Sequence, residues 1–226
     1  MITNRLLNTA LIAILFLVAP SGFSQTLEEV VVTAQIREQS LQDVPISVSA
    51  IDGEVIEDRS VDNLESLSAS VPNFYVAETQ IDTTISIRGV RSGANKGFEQ
   101  SVPLNFDGVT YPRSQLARTP LVDLERVEVL RGPQPTLFGK NAIGGVVSLT
   151  SAKPTEEFEG KFSTSHESEH DESQSLLVLS GPLSENLLGR LTVSTREMDG
   201  WIANQRMKRI EPQRDETYIR GQLAWT

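Results

Sequence analysis

Asp123-Leu124-Glu125-Arg126-Val127-Glu128-Val129-Leu130-Arg131-Gly132-Pro133 decides the fold, together with Leu137-Phe138-Gly139-Lys140-Asn141-Ala142-Ile143-Gly144-Gly145-Val146-Val147 after three intervening residues. Arg126–Leu130 reads as a strand stopped by Gly132-Pro133, and Val146–Thr150 as a second strand entered through the glycine pair. Upstream, Thr84–Arg88 and Leu104–Thr110 predict two more strands. Ile46, Val48 and Ala50 alternate with Ser47 and Ser49, the period of a half-buried strand. Asp62-Asn63-Leu64-Glu65 predicts a helix N-terminus with a reciprocal acid, and Val61, Leu64, Leu67 and Val71 then share one helical face until Pro72 stops it. Residues 43–154 therefore predict a compact α+β domain, a small mixed sheet with short helices, and roughly 110 residues suffice for a modest core.

Beyond Glu157 the pattern changes. Phe158–His166, Ser173–Gly181, Leu187–Arg196 and Glu216–Trp225 are strand-length segments separated by polar or turn-rich stretches. In the third, Gly189, Leu191, Val193 and Thr195 share one face, while Arg190, Thr192, Ser194 and Arg196 share the other. Such alternation with an aromatic at a strand end is the pattern of an outer-membrane β-barrel, although a soluble antiparallel sheet alternates too. Four strands cannot close a ring, and an open edge at membrane depth leaves backbone groups unpaired.

At the other end, residues 1–24 hold one charge, Arg5, an apolar run from Ala10 to Ala19, and Gly22-Phe23-Ser24. They predict a cleaved secretory signal, because the run is about half the roughly 20 residues of a spanning helix. Removing Arg5 leaves 19 basic against 30 acidic residues, or −11, from −10 for the whole chain. That balance argues against nucleic acid as a partner. Cysteine is absent and histidines number two, which excludes disulfide scaffolds, thiolate sites and cysteine catalysis. Residues 25–42 divide into Leu27–Ala34, whose three valines favour an extended strand without an evident hairpin partner, and a polar linker, 35–42. An unpaired terminal strand can add to another protein's sheet or join its own.

These residues resemble the TonB-dependent outer-membrane receptors. Glu28-Glu29-Val30-Val31-Val32-Thr33-Ala34 is similar to the energy-coupling TonB box, and Val44-Pro45-Ile46-Ser47-Val48 to the opening of the plug domain. Ile85-Ser86-Ile87-Arg88-Gly89-Val90 and Phe106-Asp107-Gly108-Val109 resemble its central strands, and the stretch from Asp123 to Val147 is the most specific match. Pro135 departs from the family, which commonly has Gly or Ser there, in an expected tight turn before Leu137-Phe138-Gly139. The resemblance implies a plug inside a 22-stranded barrel, without catalysis or a cofactor, for energised uptake of a scarce nutrient, most simply a ferric siderophore. Its implied partner is the TonB energy-transducing protein of the inner membrane, and its location is the cell outer membrane. Arg88 and Arg131 match the family's plug arginines that meet barrel carboxylates.

The resemblance makes residues 43–154 the plug, residues 155–226 the first barrel strands, incomplete, and the chain the front part of a longer receptor. A soluble periplasmic plug-like binding or signalling module is the alternative. The glycine-rich loop with Arg91, Ser92, Asn95, Lys96 and Phe98 is a candidate ligand-contacting loop, with an ordinary solvated loop as the alternative reading. His166-Glu167-Ser168-Glu169-His170 fits the zinc-protease spacing, but Ser163–Ser175 contains no aliphatic residue to seat the helix that the motif needs. A solvated acidic loop with no metal is the expectation. Gly132–Lys140 has six residues between its glycines rather than the four of a phosphate loop, and Asn141 where that loop has Ser or Thr.

Overall fold

The computed structural model describes residues 31–32, 39–40, 45–78, 83–92, 97–169 and 171–225. The leader 1–24, Glu28, Glu29, Val30, Thr33, Ala34, Asn95 and Lys96 lie outside them. Strand β1 (Val31–Val32) pairs antiparallel with β2 (Gln39–Ser40), Val31 opposite Ser40. This corrects the expectation of a valine tract without a hairpin partner, the partner being Gln39–Ser40 of the polar linker. Ladder pairing needs only backbone donors and acceptors, so polar residues such as Gln39 and Ser40 serve without an apolar signal.

The central five-stranded sheet runs β3 (Ser47–Asp52), β9 (Leu124–Arg131), β10 (Gly145–Ser151), β7 (Leu104–Phe106) and β8 (Val109–Tyr111) in spatial order. Only β10 and β7 are parallel; the other pairs are antiparallel, so the sheet is mixed. The segment 104–110, read as one strand, is a hairpin. Asp107 and Gly108 take φ of 47° and 82°, the two positive values that a two-residue type I′ turn requires. A second sheet, β4 (Phe74–Glu78), β5 (Thr83–Ile87) and β6 (Val90–Arg91), has its own two-residue turn at Arg88-Gly89.

Helix α1 (Gly53–Asp58) gives no sequence signal beyond its length of six residues. Helix α2 (Leu64–Ser68) is capped by Asn63 rather than Asp62: Asn63 Oδ1 accepts from Ser66 N at 2.8 Å, and Ser66 Oγ accepts from Asn63 N at 3.3 Å. Its predicted apolar face is right, since Val61, Leu64, Leu67 and Val71 are all buried in the main core with Val127, Val129 and Leu149. The opposite sheet face packs Leu130 and Val146 on Phe138 and Ala142. Phe138 ends α3 (Pro135–Phe138), where Pro135 occupies the first turn. A proline there loses no needed donor, so its departure from the family pattern costs the turn nothing. Glu128, fully buried on this second face, is paired to Arg126 Nε at 3.1 Å.

The chain then forms an antiparallel wall, β11 (Glu159–Glu167), β12 (Glu172–Ser184), β13 (Leu187–Met198) and β16 (Arg214–Trp225). A small hairpin, β14 (Ile202–Asn204) with β15 (Arg209–Glu211), rises from the connection between β13 and β16. Wall residues alternate: Val178, Ser180, Thr192 and Ser194 are buried toward the plug, whereas Phe162, Ile219, Leu223 and Trp225 project outward, 67–79% exposed. The fold is therefore an α+β domain followed by an antiparallel sheet with one face apolar and outward. His166 and Glu167 end β11, and Ser168 and Glu169 form a turn rather than a helix; His170 lies outside the described residues.

Gly53 fixes how α1 meets β9, for a Cβ there would lie 1.8 Å from the Leu124 carbonyl oxygen. Gly53→Ala should therefore destabilise the plug by at least about 2 kcal/mol, read as faster hydrogen exchange of β9 amides. Gly221→Ala, where a Cβ meets nothing within 4 Å, should leave that exchange unchanged.

Candidate functional site: the seam between plug and wall

Asp123 closes the loop before β9 and holds φ at 53°, an unusual value for a residue other than glycine. That turn aims its carboxylate out of the plug and into the wall. Arg190 Nε reaches Oδ2 at 3.0 Å and Arg190 Nη2 reaches Oδ1 at 2.5 Å, a bidentate fork. Thr192 Oγ1 donates to Oδ2, and Arg220 Nη2 donates to Oδ2 at 2.8 Å and to the Asp123 carbonyl at 2.5 Å. Asp123 is 5% exposed, so one carboxylate joins two wall strands with most water excluded.

Burial alone would raise the Asp123 pKa. Hydrogen bonds from Arg190 and Thr192 and the charges of Arg190 and Arg220 outweigh it, and the carboxyl lies below its ordinary value. The neighbourhood repeats the pattern. Ser151 Oγ donates to Asp107 Oδ2 at 2.7 Å and accepts from Gln222 Nε2 at 2.7 Å, while Ser180 Oγ accepts from Thr155 N at 2.9 Å.

The rest of the seam is thinner. Asp62 stands 3.5 Å from Arg196, which is 2.6 Å from Glu172; Glu78 is 3.4 Å from Arg214; Lys161 pairs with Glu57 across half-exposed surface. Beside the Asp62 and Glu57 bridges lies a cavity of about 600 Å³, lined by Ile56, Val61 and Leu121 of the plug and Ser163, Glu172 and Leu176 of the wall. Burial raises the Asp62 pKa, and Arg196 only partly offsets this.

Arg88 and Arg131 are brought together at the opposite end of β9. Arg131 Nη1 donates to the Pro72 carbonyl at 3.2 Å, and Arg88 N donates to the adjacent Asn73 carbonyl at 2.9 Å. Eight residue steps along β9 separate Asp123 from Arg131, about 26 Å at strand rise. Among the described residues Arg131 Nε is buried without a hydrogen-bond partner. Of the candidate ligand loop, Arg91 ends β6 beside Ser86, Ser92 Oγ is held by Ser101 at 2.7 Å, and Phe98 projects, 69% exposed.

Sequence reasoning missed Asp123 and its wall donors. The polar face of Arg190, Thr192 and Arg196 was visible as alternation, but which plug residue it meets depends on three-dimensional register.

A small mixed-sheet domain clamped by buried polar pairs to the inner face of an antiparallel wall, whose outer face is apolar, defines a plugged membrane receptor. Residues 40–146 match the family described as TonB-dependent Receptor Plug Domain. The iron-regulated outer membrane virulence protein of Vibrio cholerae is 33% identical over 79% of this chain, which spans about 30% of that protein's length. The pesticin receptor of Yersinia pestis is 31% identical over 70% of this chain and 24% of its own. The solved structure of the ferric yersiniabactin uptake receptor FyuA from Yersinia pestis superposes with TM-score 0.72 at 28% identity, over 79% of this chain and 28% of that one. This chain belongs to the TonB-dependent outer-membrane receptors, a family of receptors and transporters, and its location is the outer membrane.

The two seam carboxylates should respond to substitution with opposite signs. Asp123→Asn should lower stability at neutral pH by about 3–5 kcal/mol, since it strands two buried arginines. The stabilisation from Asp123 is present above the ordinary carboxylate pKa of about 3.9 and is lost as pH falls through its lower folded value. Asp62→Asn should raise stability at neutral pH, because a folded pKa above the unfolded one penalises the ionised form; the gain should vanish below about pH 4. Urea unfolding in detergent from neutral to acid pH measures both.

Proposed function

We propose that this chain supplies the coupling tract, plug and first wall strands of a receptor for energised uptake of a ferric siderophore. The observation that carries the reading is the Asp123 clamp, which ties the plug's central strand to the wall. An ordinary soluble domain has no need to spend two arginines of a lipid-type strand on one internal carboxylate. The ligand class draws support from relatives whose names specify iron or siderophores, including the ferrioxamine receptor of Yersinia enterocolitica at 28% identity. A vitamin B12 transporter of Vibrio vulnificus matches at the same 28%, so ligand assays should include both.

In this reading Glu28–Ala34 pairs with the TonB protein, Arg88 and Arg131 meet barrel carboxylates, and Arg91, Ser92, Asn95, Lys96 and Phe98 contact ligand. Val31 and Val32 are already extended and strand-paired, the backbone state that β-augmentation uses. Paired charges in a partly desolvated lumen hold while both partners are present and become costly when one leaves.

Val31→Pro in the receptor that carries this segment should abolish energised uptake of radio-iron siderophore while leaving ligand binding at the cell surface unchanged. Proline removes the backbone donor and obstructs strand addition. Unaltered uptake would remove the coupling role, and uptake of cobalamin in place of iron chelates would overturn the ligand class.

A further inference from the structure

Strand β1 lies inside the proposed coupling tract, and its partner does not. Val31 stands directly opposite Ser40, and Val32 opposite Gln39. Among the described residues these four form a sheet of their own, bonded to neither sheet of the plug. The backbone ladder that holds the tract is thus made by two polar residues of the linker.

The pairing changes how far the tract can reach. Nine residue steps separate Val31 from Ser40, about 30 Å when extended, whereas residues opposed across an antiparallel ladder stand about 5 Å apart. Ser40 precedes Ser47, the first residue of β3, by seven further steps. Measured from Ser47, an open chain of sixteen steps carries Val31 up to about 53 Å away, and a closed hairpin only up to about 28 Å. Closing the hairpin therefore stores about half of the reach.

It also occupies one edge of the tract. A strand pairs along two edges, and β2 takes one of them at Val31 and Val32. The opposing ladder is short, and two-stranded hairpins without further support are marginal in water. A partner strand running along the seven residues Glu28–Ala34 can outmatch two residues of β2 on that edge, but only after β2 has let go.

We propose that the β1–β2 hairpin gates coupling. Closed, it holds the tract short of a partner in the inner membrane and covers the edge with which that partner pairs. Open, it delivers an extended strand, and the partner replaces Gln39–Ser40 along Val31–Val32. A partner that accepts only the open tract binds with an affinity scaled by the open fraction. The gate rests on the coupling role proposed above for Glu28–Ala34, yet the residues that set it, Gln39 and Ser40, lie outside that tract.

The chain has no cysteine, so Val31→Cys with Ser40→Cys supplies its only thiols, at a Cα separation suited to a disulfide. The 226-residue protein is kept in detergent, and the soluble periplasmic part of the TonB protein is the probe. The oxidised form should bind at least about tenfold more weakly than the same protein reduced. Gln39→Pro with Ser40→Pro removes the backbone donors of β2 and should tighten binding about twofold or more over wild type. Spin labels on Val31→Cys and Glu54→Cys read the reach without a partner, and the two prolines should lengthen and broaden that distance. Equal binding by the oxidised and reduced forms, equal binding by wild type and the double-proline protein, or an unchanged distance overturns the gate. Absence of binding in every form overturns the coupling role instead, and the spin-label distance then decides the hairpin alone.

Discussion

One carboxylate holds plug and wall in register. Asp123 accepts from Arg190, Thr192 and Arg220, so β13 and β16 are both referred to a single point on the plug. A buried carboxylate is tolerable only when its charge and lone pairs are met, and two guanidiniums and a hydroxyl meet them. The same requirement fixes the wall, since neither arginine has water enough to stand alone. A hydrophobic contact at this place would hold the plug as well but would not set its rotation. Forked hydrogen bonds do, because their geometry tolerates little displacement.

The seam is graded. Around Asp123 the polar groups are buried and linked through Ser151 with Gln222 and Ser180 with Thr155, while among the described residues Arg220 Nε and Gln222 Oε1 are buried without a hydrogen-bond partner. Along Glu57, Asp62 and Glu78 the bridges are longer or half-exposed, and those of Glu57 and Asp62 border the 600 Å³ cavity. Exposed pairs contribute little, and Asp62 is held where ionisation is penalised. The plug is thus fixed firmly at one end of β9 and loosely along the flank carrying α1 and α2.

How much of this the amino-acid order reveals depends on the range of each interaction. Strands β9, β10 and β12 and the buried face from Val61 to Val71 are set by local periodicity and were legible. The hairpin at Asp107-Gly108 was legible as well, since Asp-Gly is the pair that a type I′ turn favours, but the short flanking runs Leu104–Phe106 and Val109–Tyr111 read together as one strand. The cap at Asn63 was displaced by one residue, since Ser66 can reciprocate as Glu65 was expected to do. Arg190 and Arg220 were visible as polar positions on alternating strands. Their convergence on Asp123, 67 and 97 residues earlier, is a consequence of tertiary register that no local pattern carries. The arginines of the recognised motifs, Arg88 and Arg131, gather at the other end of β9, away from the wall strands that are present.

The topology also orders the path by which tension applied near the N-terminus would travel. Among the described residues strand β3 is the sheet edge, hydrogen-bonded to β9 alone, while β9 is bonded on both sides by β3 and β10. An edge strand has half the ladder bonds of its neighbour, so it yields before the interior of the sheet. Beyond β9 the path meets Asp123 and ends on the wall. Tension from β1 therefore arrives first at the element least secured to the sheet and last at the residue most secured to the membrane-facing strands. A plug built this way can loosen at β3 while β9 and β10 stay in place, because β9 is bonded on both sides and the residue before it is held by the wall through Asp123.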